Sequence, residues 1–190
     1  MGNLILLTGK SASGKDTILP ELKKILHAKY LPNCTTRPMR AGESEGNPYF
    51  FVKPAEADNL LASKKYKTES GIWTYGFKRE ELNSEHDYVA VVSLTQVHAL
   101  VNYYGKSHRI VLVEITTDEE ERIAHAIERE NKNKKSANYA ELCRRILTDK
   151  KDYCQANILE ASLLVDDFIH VYNDYTETPE EIAYEIYNAL

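Results

Sequence analysis

This chain of 190 residues has few cysteines, no long apolar run and no excess of positive charge. The three cysteines are odd in number and lack metal-ligand spacing, so we expect reduced thiols in a cytoplasmic protein. The apolar start of about five residues is too short for a signal peptide or a membrane span. The net charge of −5 does not favour a nucleic-acid surface. We therefore expect neither nucleic acid nor a membrane as a partner.

The rest of the composition is that of an ordinary globular protein, with 43% apolar and 28% charged residues. A chain of this length can bury a sizeable core and fits one domain with a small inserted lobe. The sequence contains no internal repeat and no low-complexity linker. Length and composition therefore favour a single unit, and its chemistry has to be inferred from motifs.

The N-terminal segment carries a phosphate-loop pattern. Apolar residues run into a loop that begins at Gly9 and ends in Gly14-Lys15, and a helical pattern follows at once. In this strand–loop–helix context, backbone N–H groups and the positive end of the helix face phosphate oxygens. Lys15 would then reach the outer phosphates of a bound nucleoside triphosphate. The predicted contacts are Gly9, Lys10, Ser11, Ala12, Ser13, Gly14, Lys15, Asp16 and Thr17. The alternative is a Gly/Ser-rich turn that binds nothing.

One position departs from that pattern. Asp16 stands where Ser or Thr usually closes the loop, and Thr17 follows it. A carboxylate beside triphosphate oxygens is repelled unless a cation lies between them. We therefore predict that Asp16 and Thr17 help to hold Mg²⁺. The alternative is that Asp16 only favours the N-terminus of the helix through its charge.

Apolar strands alternate with helical patterns along the chain. This alternation predicts an α/β fold, with a parallel sheet flanked by helices on both faces. The phosphate loop lies at the carboxyl end of a strand, where ligands of such sheets bind. Short strands, aromatic residues and turns between 35 and 77 predict an inserted lobe. The predicted core strands cover 3–8, 88–92, 109–115 and 168–172. The predicted helices cover 16–29, 54–63, 94–104, 118–130, 138–158 and 179–190, the last with Thr178 as its N-cap.

The predicted lobe contains a candidate anion pocket. Arg37 and Arg40 precede a glycine-punctuated loop that leads to Tyr49, and Tyr75 precedes a glycine. An arginine side chain pairs with two phosphate oxygens at once, and a tyrosine hydroxyl adds a neutral donor. These four side chains predict a second phosphate site, whereas the alternative is a solvated surface loop.

The segment from 35 to 51 closely resembles guanylate kinases, because it fills every fixed position of their pattern T-T-R-x-x-R-x-G-E-x-x-G-x-x-Y-x-F. Tyr75-Gly76 is similar to the Tyr-Gly pair of the family, and Val171-Tyr172-Asn173-Asp174 is similar to its Val-x-Asn-Asp strand end. Arg129 and Arg145 lie where the family has lid arginines. The resemblance runs in order along nearly the whole chain.

This resemblance implies ATP-dependent, Mg²⁺-assisted phosphorylation of a nucleoside monophosphate, with GMP or dGMP as the leading candidates. It implies a single domain with a P-loop core at 1–34, 86–125 and 160–190, a monophosphate-binding lobe at 35–85 and a helical lid at 126–146. The implied catalytic residues are Lys15, Arg129 and Arg145. The implied acceptor-phosphate ligands are Arg37, Arg40, Tyr49 and Tyr75.

The two acids with which guanylate kinases read guanine have no clear counterparts in this chain. By spacing, one falls between 65 and 69, where the acidic residue is Glu69, and the other falls between 91 and 93, where Ser93 stands. Glu69 and Ser93 are therefore the candidates for binding the acceptor base. The Gly-Lys-Asp ending of the phosphate loop also resembles ribose-bisphosphate phosphokinases, as does the run from Glu128 to Asn131.

Several alternatives stay open from the sequence. The acceptor could be another monophosphate or a sugar phosphate such as ribose bisphosphate. The chain could instead be a guanylate-kinase-like module that binds a partner protein without catalysis, although the intact phosphate loop argues against that. Arg129 and Arg145 could form ion pairs on helix surfaces with Glu128 and Glu141.

Overall fold

The structure is a computed structural model that describes residues 1–39, 42–68, 71–132 and 137–190. The elements follow one another as β1 (Asn3–Thr8), α1 (Lys15–Leu26), β2 (Lys29–Tyr30), β3 (Asn33–Thr35), β4 (Tyr49–Phe51), a 3₁₀ helix (Pro54–Asn59), β5 (Leu61–Thr68), β6 (Gly71–Phe77), β7 (Tyr88–Val91), α2 (Leu94–Tyr104), β8 (Arg109–Thr116), α3 (Glu119–Lys132), α4 (Tyr139–Asp152), α5 (Gln155–Ser162), β9 (Asp167–Tyr172) and α6 (Pro179–Ala189).

The larger sheet has the strand order β2-β7-β1-β8-β9, and every neighbouring pair in it is parallel. Its central strand, β1, is buried from Leu4 to Thr8. A strand that is buried on both faces needs apolar side chains at successive positions, which explains the uninterrupted apolar run at the start of the sequence. Because the strands are parallel, their carboxyl ends meet at one edge of the sheet.

Helices cover both faces of this sheet. Ile5 and Leu7 point to the face on which α1 and α6 pack, whereas Leu4 and Leu6 point to the face covered by α2 and α5. Alternate side chains of one strand therefore enter two separate apolar clusters. Both clusters hold the carboxyl end of β1, and with it the loop that follows, in a fixed position.

The smaller sheet has the order β4-β3-β6-β5; β4, β5 and β6 lie within the segment predicted as an inserted lobe, whereas β3 begins two residues before it, at Asn33. Strands β5 and β6 form an antiparallel hairpin in which Lys64 lies opposite Tyr75, and Tyr66 lies opposite Trp73. Directly opposed residues share one face of a sheet, so these four side chains lie on the same side.

The predicted α/β fold is confirmed, and so are the strand at 3–8 and the helix at 94–104 with the bounds predicted for them. The predicted N-cap of the last helix is also confirmed. The Thr178 hydroxyl accepts a hydrogen bond from the Glu181 N–H at 3.2 Å, and the Glu181 carboxylate accepts one from the Thr178 N–H at 2.7 Å. This reciprocal arrangement is a capping box.

Three predicted helices differ from the structure by three residues or more. Helix α1 ends at Leu26 rather than residue 29, because His27 adopts a left-handed conformation and Lys29 pairs with β7 instead. The segment predicted as one helix over 138–158 is two, since the chain breaks at Tyr153 between α4 and α5. The helix predicted over 54–63 is a short 3₁₀ helix, and Leu61 already begins β5.

The three cysteines, Cys34, Cys143 and Cys154, form no disulfide with one another, and Cys34 is buried. Among the described residues we find no helix that combines the length and the apolar character needed to cross a membrane.

Candidate functional site

A cleft of about 240 Å³ opens at the carboxyl ends of β1 and β7. It brings together most of the residues singled out from the sequence. Those that line it are Gly9, Ser11, Ala12, Lys15, Asp16, Tyr49, Tyr75, Ser93, Arg129 and Arg145. The predicted residues among the described ones that do not line it are Lys10, Ser13, Gly14, Thr17 and Arg37. Arg40, Glu69 and the turn at 133–136 lie outside the described residues.

Two glycines of the phosphate loop lie where a side chain would collide with neighbouring atoms. A Cβ on Gly9 would lie 2.4 Å from the Ile115 carbonyl oxygen, and one on Gly14 would lie 2.4 Å from the Asn173 amide nitrogen. Gly14 also has a φ of +92°, a conformation that glycine adopts without steric cost. The motif therefore needs glycine here for close packing as well as for curvature.

The second half of the loop is held from behind by residues that follow β9. The Asn173 side chain is buried and donates from its amide to the Ser13 carbonyl at 3.0 Å. The Tyr175 hydroxyl donates to the Ala12 carbonyl, and the Tyr175 N–H donates to Asn173 Oδ1 at 2.9 Å. The strand end at 171–174, noted from the sequence, thus supports the loop and lies behind it.

The first half of the loop is held by the C-terminal end of α4. The Asp149 carboxylate accepts a hydrogen bond from the Ser11 N–H at 2.8 Å, and the Arg122 guanidinium donates to the Ser11 carbonyl at 3.0 Å. The Tyr153 hydroxyl accepts from the Gly9 N–H at 3.2 Å and lies 3.0 Å from Thr8 Oγ1. Sequence reasoning missed all three side chains.

Lys15, Asp16 and Thr17 differ in how they face the cleft. The Lys15 ammonium donates to the Lys10 carbonyl at 3.2 Å, so it lies folded against its own loop. Asp16 is exposed on the cleft wall, whereas the Thr17 side chain is exposed outside it. Ser13 is buried, and its hydroxyl has no hydrogen-bond partner in the described part of the chain.

Tyr49 and Tyr75 meet on the cleft wall formed by the smaller sheet, with ring centroids 5.6 Å apart in an edge-to-face arrangement. Burial raises the pKa of the Tyr49 hydroxyl, which therefore keeps its proton and can donate it in a hydrogen bond. Arg37 is only 4% exposed, and its guanidinium lies 5.4 Å from the Tyr49 ring centroid. The guanidinium is paired with the Glu43 carboxylate at 2.7 Å. Arg37, which was predicted to bind the acceptor phosphate, packs against the Tyr49 ring and does not line the cleft itself.

The hairpin of β5 and β6 adds Lys64, Tyr66 and Trp73 to the cleft wall. The Lys64 ammonium pairs with Asp152 at 2.6 Å and lies 5.1 Å from the Tyr66 ring centroid. In this hairpin Thr68 lies opposite Gly71, which puts Lys64 opposite Tyr75. The register of that hairpin was not worked out from the sequence.

Ser93 lies at the carboxyl end of β7, where its N–H donates to Gln96 Oε1 at 3.0 Å at the start of α2. The Gln96 amide in turn donates to the Ala62 carbonyl at 3.1 Å, which ties α2 to β5. Asn33 and Gln96 also line the cleft. The wall near Ser93 therefore offers amide and hydroxyl groups, beside the apolar residues Val91 and Val92.

Arg129 and Arg145, the two arginines predicted to belong to a lid, have different surroundings. Arg145 donates from Nε to Glu141 at 2.9 Å, and Arg144 donates to the same carboxylate at 2.7 and 2.8 Å. Partial burial raises the pKa of the Glu141 carboxyl, but these hydrogen bonds outweigh it and lower the pKa to about 2. Arg145 therefore forms the ion pair with Glu141 that the sequence left open as an alternative. Glu128, the partner considered for Arg129, pairs with Lys132 at 2.8 Å. Arg129 lines the cleft.

Most carboxylates that line the cleft form ion pairs with arginine or lysine side chains. Glu141 pairs with two arginines, Asp152 pairs with Lys64, and Asp149 lies 3.5 Å from Arg122. Asp16 is the exception within the described residues, since it forms no ion pair there. Asp16 is therefore the carboxylate of the described cleft lining that stays available to a bound cation.

Comparisons with known proteins lead to one family. The guanylate kinase of Thermobifida fusca is 41% identical over 63 residues, which are 33% of this chain and 32% of that protein. The guanylate kinase of Synechococcus sp. strain JA-3-3Ab is 31% identical over 132 residues, which are 64% of this chain and 59% of that protein. The matches thus span between about a third and three fifths of these relatives. No protein-family model matches the chain.

The fold of the chain is similar to that of a solved guanylate kinase structure. The crystal structure of guanylate kinase from Anaplasma phagocytophilum aligns with 99% of this chain and 84% of its own, with a TM-score of 0.57 and 16% sequence identity. At this identity the likeness concerns the fold alone.

Alanine substitutions at Gly14 and at Gly42 test the tight fit of the loop against Asn173. Both glycines have positive φ values, +92° and +87°, so each alanine carries a similar backbone cost. A Cβ at Gly42 would meet no atom of the described residues within 4 Å. We expect Gly42→Ala to lower the free energy of unfolding by about 1–2 kcal/mol. Gly14→Ala should lower it by about 1–3 kcal/mol more, because the Asn173 hydrogen bond is displaced. Urea denaturation measures both, and equal losses would contradict the tight fit.

Proposed function

We propose that the chain is a member of the guanylate kinase family and transfers the γ-phosphoryl group of ATP to a nucleoside monophosphate. The observation that carries this proposal is the common cleft of the phosphate loop, the Tyr49–Tyr75 pair, Arg129 and Arg145. Phosphoryl transfer requires two phosphates held in line, neutralised and shielded from water. A single cleft whose walls carry the phosphate loop, the tyrosine pair and the two arginines suits that requirement.

Within the chain we propose three parts, with the same bounds as those expected from the family resemblance. The core at 1–34, 86–125 and 160–190 would hold ATP. The lobe at 35–85 would hold the monophosphate, and the lid at 126–146 would close over both. Closure matters because an open site would transfer the phosphoryl group to water.

On the donor side, the β- and γ-phosphates would accept hydrogen bonds from the N–H groups of the phosphate loop at the start of α1. The Lys15 ammonium would leave the Lys10 carbonyl, 3.2 Å away, for a charged phosphate oxygen, which is a stronger acceptor. This exchange supplies a reason for the folded position of Lys15 without nucleotide.

Magnesium fits the donor side through Asp16. Mg²⁺ is usually held by one or two carboxylates together with substrate phosphates, and Asp16 is the cleft carboxylate without an ion pair among the described residues. When bound, Mg²⁺ would offset the negative charge of the two outer phosphates. Thr17 points outside the cleft, so we assign it a lesser part.

On the acceptor side, the protonated Tyr49 hydroxyl and the Tyr75 hydroxyl would donate to the monophosphate. Arg37 would serve by sharing its guanidinium between Glu43 and the phosphate, as the five donors of the side chain allow. Arg40 remains a candidate ligand from the sequence pattern. Arg129 and Arg145 would neutralise charge on the phosphoryl group in transit.

A coupled ATP-consumption assay across GMP, dGMP, AMP, CMP, UMP and ribose bisphosphate tests the proposal. We expect turnover with a nucleoside monophosphate, and GMP or dGMP come first because the relatives are guanylate kinases. Turnover with none of the six acceptors, in a protein that still binds ATP, would contradict a kinase and favour the partner-binding module.

A second candidate acceptor is favoured by the pairing of the cleft carboxylates. Guanine offers N–H donors that a free carboxylate would accept. Among the described residues of the cleft, Asp152 and Glu141 are held by cations, and the unpaired Asp16 lies on the phosphate loop, where it is assigned to the donor side. A non-guanine acceptor, such as ribose bisphosphate, does not need that carboxylate. Turnover with ribose bisphosphate but not with GMP would establish this second candidate and keep the same donor site.

Asp16→Asn tests the magnesium role. The substitution keeps the size of the side chain and removes its charge, so we expect the Mg²⁺ concentration for half-maximal turnover to rise about tenfold. Glu21→Gln, an acidic residue of the same helix outside the cleft lining, is the matched control and should leave it unchanged. An unaltered Mg²⁺ dependence in Asp16→Asn would contradict the metal role.

Arg129→Ala and Arg145→Ala test the lid arginines. Each should lower kcat about 100-fold with a smaller effect on KM, because the charge they meet develops in the transition state. Arg109→Ala is the control, since Arg109 pairs with Asp167 at 2.6 Å and does not line the cleft. A kcat of Arg145→Ala equal to that of the control would mean that Arg145 serves only to pair with Glu141.

A further inference from the structure

We propose that Arg122 and Asp149 are positioning residues that clamp Ser11 and fix the distance between the phosphate loop and α4. The inference deepens the proposed kinase function and rests on it. Neither Arg122 nor Asp149 belongs to the phosphate-loop motif or to the segment from 35 to 51 that resembles guanylate kinases.

The geometry is a two-point grip on a single residue. The Ser11 N–H donates to Asp149 Oδ2 at 2.8 Å, and the Ser11 carbonyl accepts from Arg122 at 3.0 Å. The same Arg122 nitrogen lies 3.5 Å from Asp149 Oδ2, so an ion pair links the two residues that bind Ser11. With both its N–H and its carbonyl engaged, the peptide groups on either side of Ser11 are fixed in orientation.

Stability alone is a poor explanation for this pair. Arg122 is 2% exposed and Asp149 is 9% exposed, and a buried ion pair loses hydration that its own attraction only partly offsets. The Nε of Arg122 is also buried without a hydrogen-bond partner among the described residues. Apolar side chains would fill this volume at no such cost. What the charged pair provides, and apolar groups cannot, is a defined position for the Ser11 backbone.

The clamp also links the loop to the lid. Asp149 lies four residues after Arg145 on α4, and residues at this spacing lie on the same helix face. Both line the cleft. Fixing Asp149 to Ser11 therefore sets how far the Arg145 guanidinium lies from phosphates on the loop. Arg122 belongs to α3 and adds the second lid helix to this contact.

The two halves of the loop are thus held from different parts of the fold. Asn173 and Tyr175 grip Ser13 and Ala12 from the end of β9, whereas the clamp grips Ser11 from the helices. Loss of the clamp should leave the second half in place and disorient the first. We therefore expect weaker ATP binding together with slower transfer, and not a collapse of the site.

The first test measures hydrogen exchange of the Ser11 amide by NMR and needs no nucleotide. Asp149→Ala should accelerate this exchange at least about tenfold. The Arg122→Leu/Asp149→Leu double variant should do the same without leaving a buried charge unpaired, which keeps the test valid if the single variant unfolds. Asp149→Asn keeps an acceptor for the Ser11 N–H and should be intermediate. Unchanged exchange in a folded double variant would overturn the clamp.

Asp166→Ala is the matched control. Its carboxylate accepts from the Ile110 N–H at 2.7 Å, so the control also removes a hydrogen bond from a carboxylate to a backbone amide, but away from the cleft. It should lower stability while leaving Ser11 exchange at the wild-type rate.

The second test measures ATP affinity by calorimetry and turnover on the best acceptor. The double variant should bind ATP about tenfold more weakly and have a lower kcat, while Asp166→Ala matches wild type in both. Tighter ATP binding in the double variant would overturn the proposal, because Asp149 would then compete with phosphate for the loop. A wild-type protein without transferase activity would refute the proposed function, and Ser11 exchange would still decide the clamp.

Discussion

The hydrogen bond from the Asn173 amide to the Ser13 carbonyl is the contact on which the shape of the phosphate loop depends. Gly14 passes so close to the same amide that a Cβ there would lie 2.4 Å away, so strand end and loop fit each other closely. Because β9 is fixed by its parallel pairing with β8, the loop inherits the rigidity of the sheet. Preorganised N–H donors bind an anion without first losing conformational freedom, which is the physical basis of a phosphate site.

The charges of the cleft follow from the same constraint. The proposed site for several phosphates would have to be cationic yet stable, and here Glu141 and Asp152 hold Arg144, Arg145 and Lys64 in place. The arrangement keeps cations oriented toward the cleft while limiting their mutual repulsion. Phosphate oxygens of a ligand would then compete with these carboxylates for arginine and lysine N–H donors that already face the cleft. This view treats the Arg145–Glu141 pair as a resting state and explains why the lid arginine is not free.

The sequence was most informative where short-range patterns decide the outcome. The bounds of β1 and of α2 were predicted because a continuous apolar run and a 3.6-residue periodicity are local signals. The clamp was missed because Ser11 and Asp149 lie 138 residues apart, and no local pattern distinguishes Asp149 from a solvated helix acid. The break after α4 was missed for a similar reason, since it serves the contact of Tyr153 with Gly9. Arg37 fits the motif, but its burial against Glu43 is a tertiary feature that spacing does not reveal.

The most direct test of the account is a calorimetric titration of the protein with a non-hydrolysable ATP analogue in Mg²⁺, for wild type and for Lys15→Ala. The account predicts one saturable site in the wild type, with a dissociation constant at least about tenfold larger in Lys15→Ala because a charged phosphate contact is lost. No saturable binding in the wild type, or equal affinity in the two proteins, would contradict the claim that this loop is a nucleoside triphosphate site.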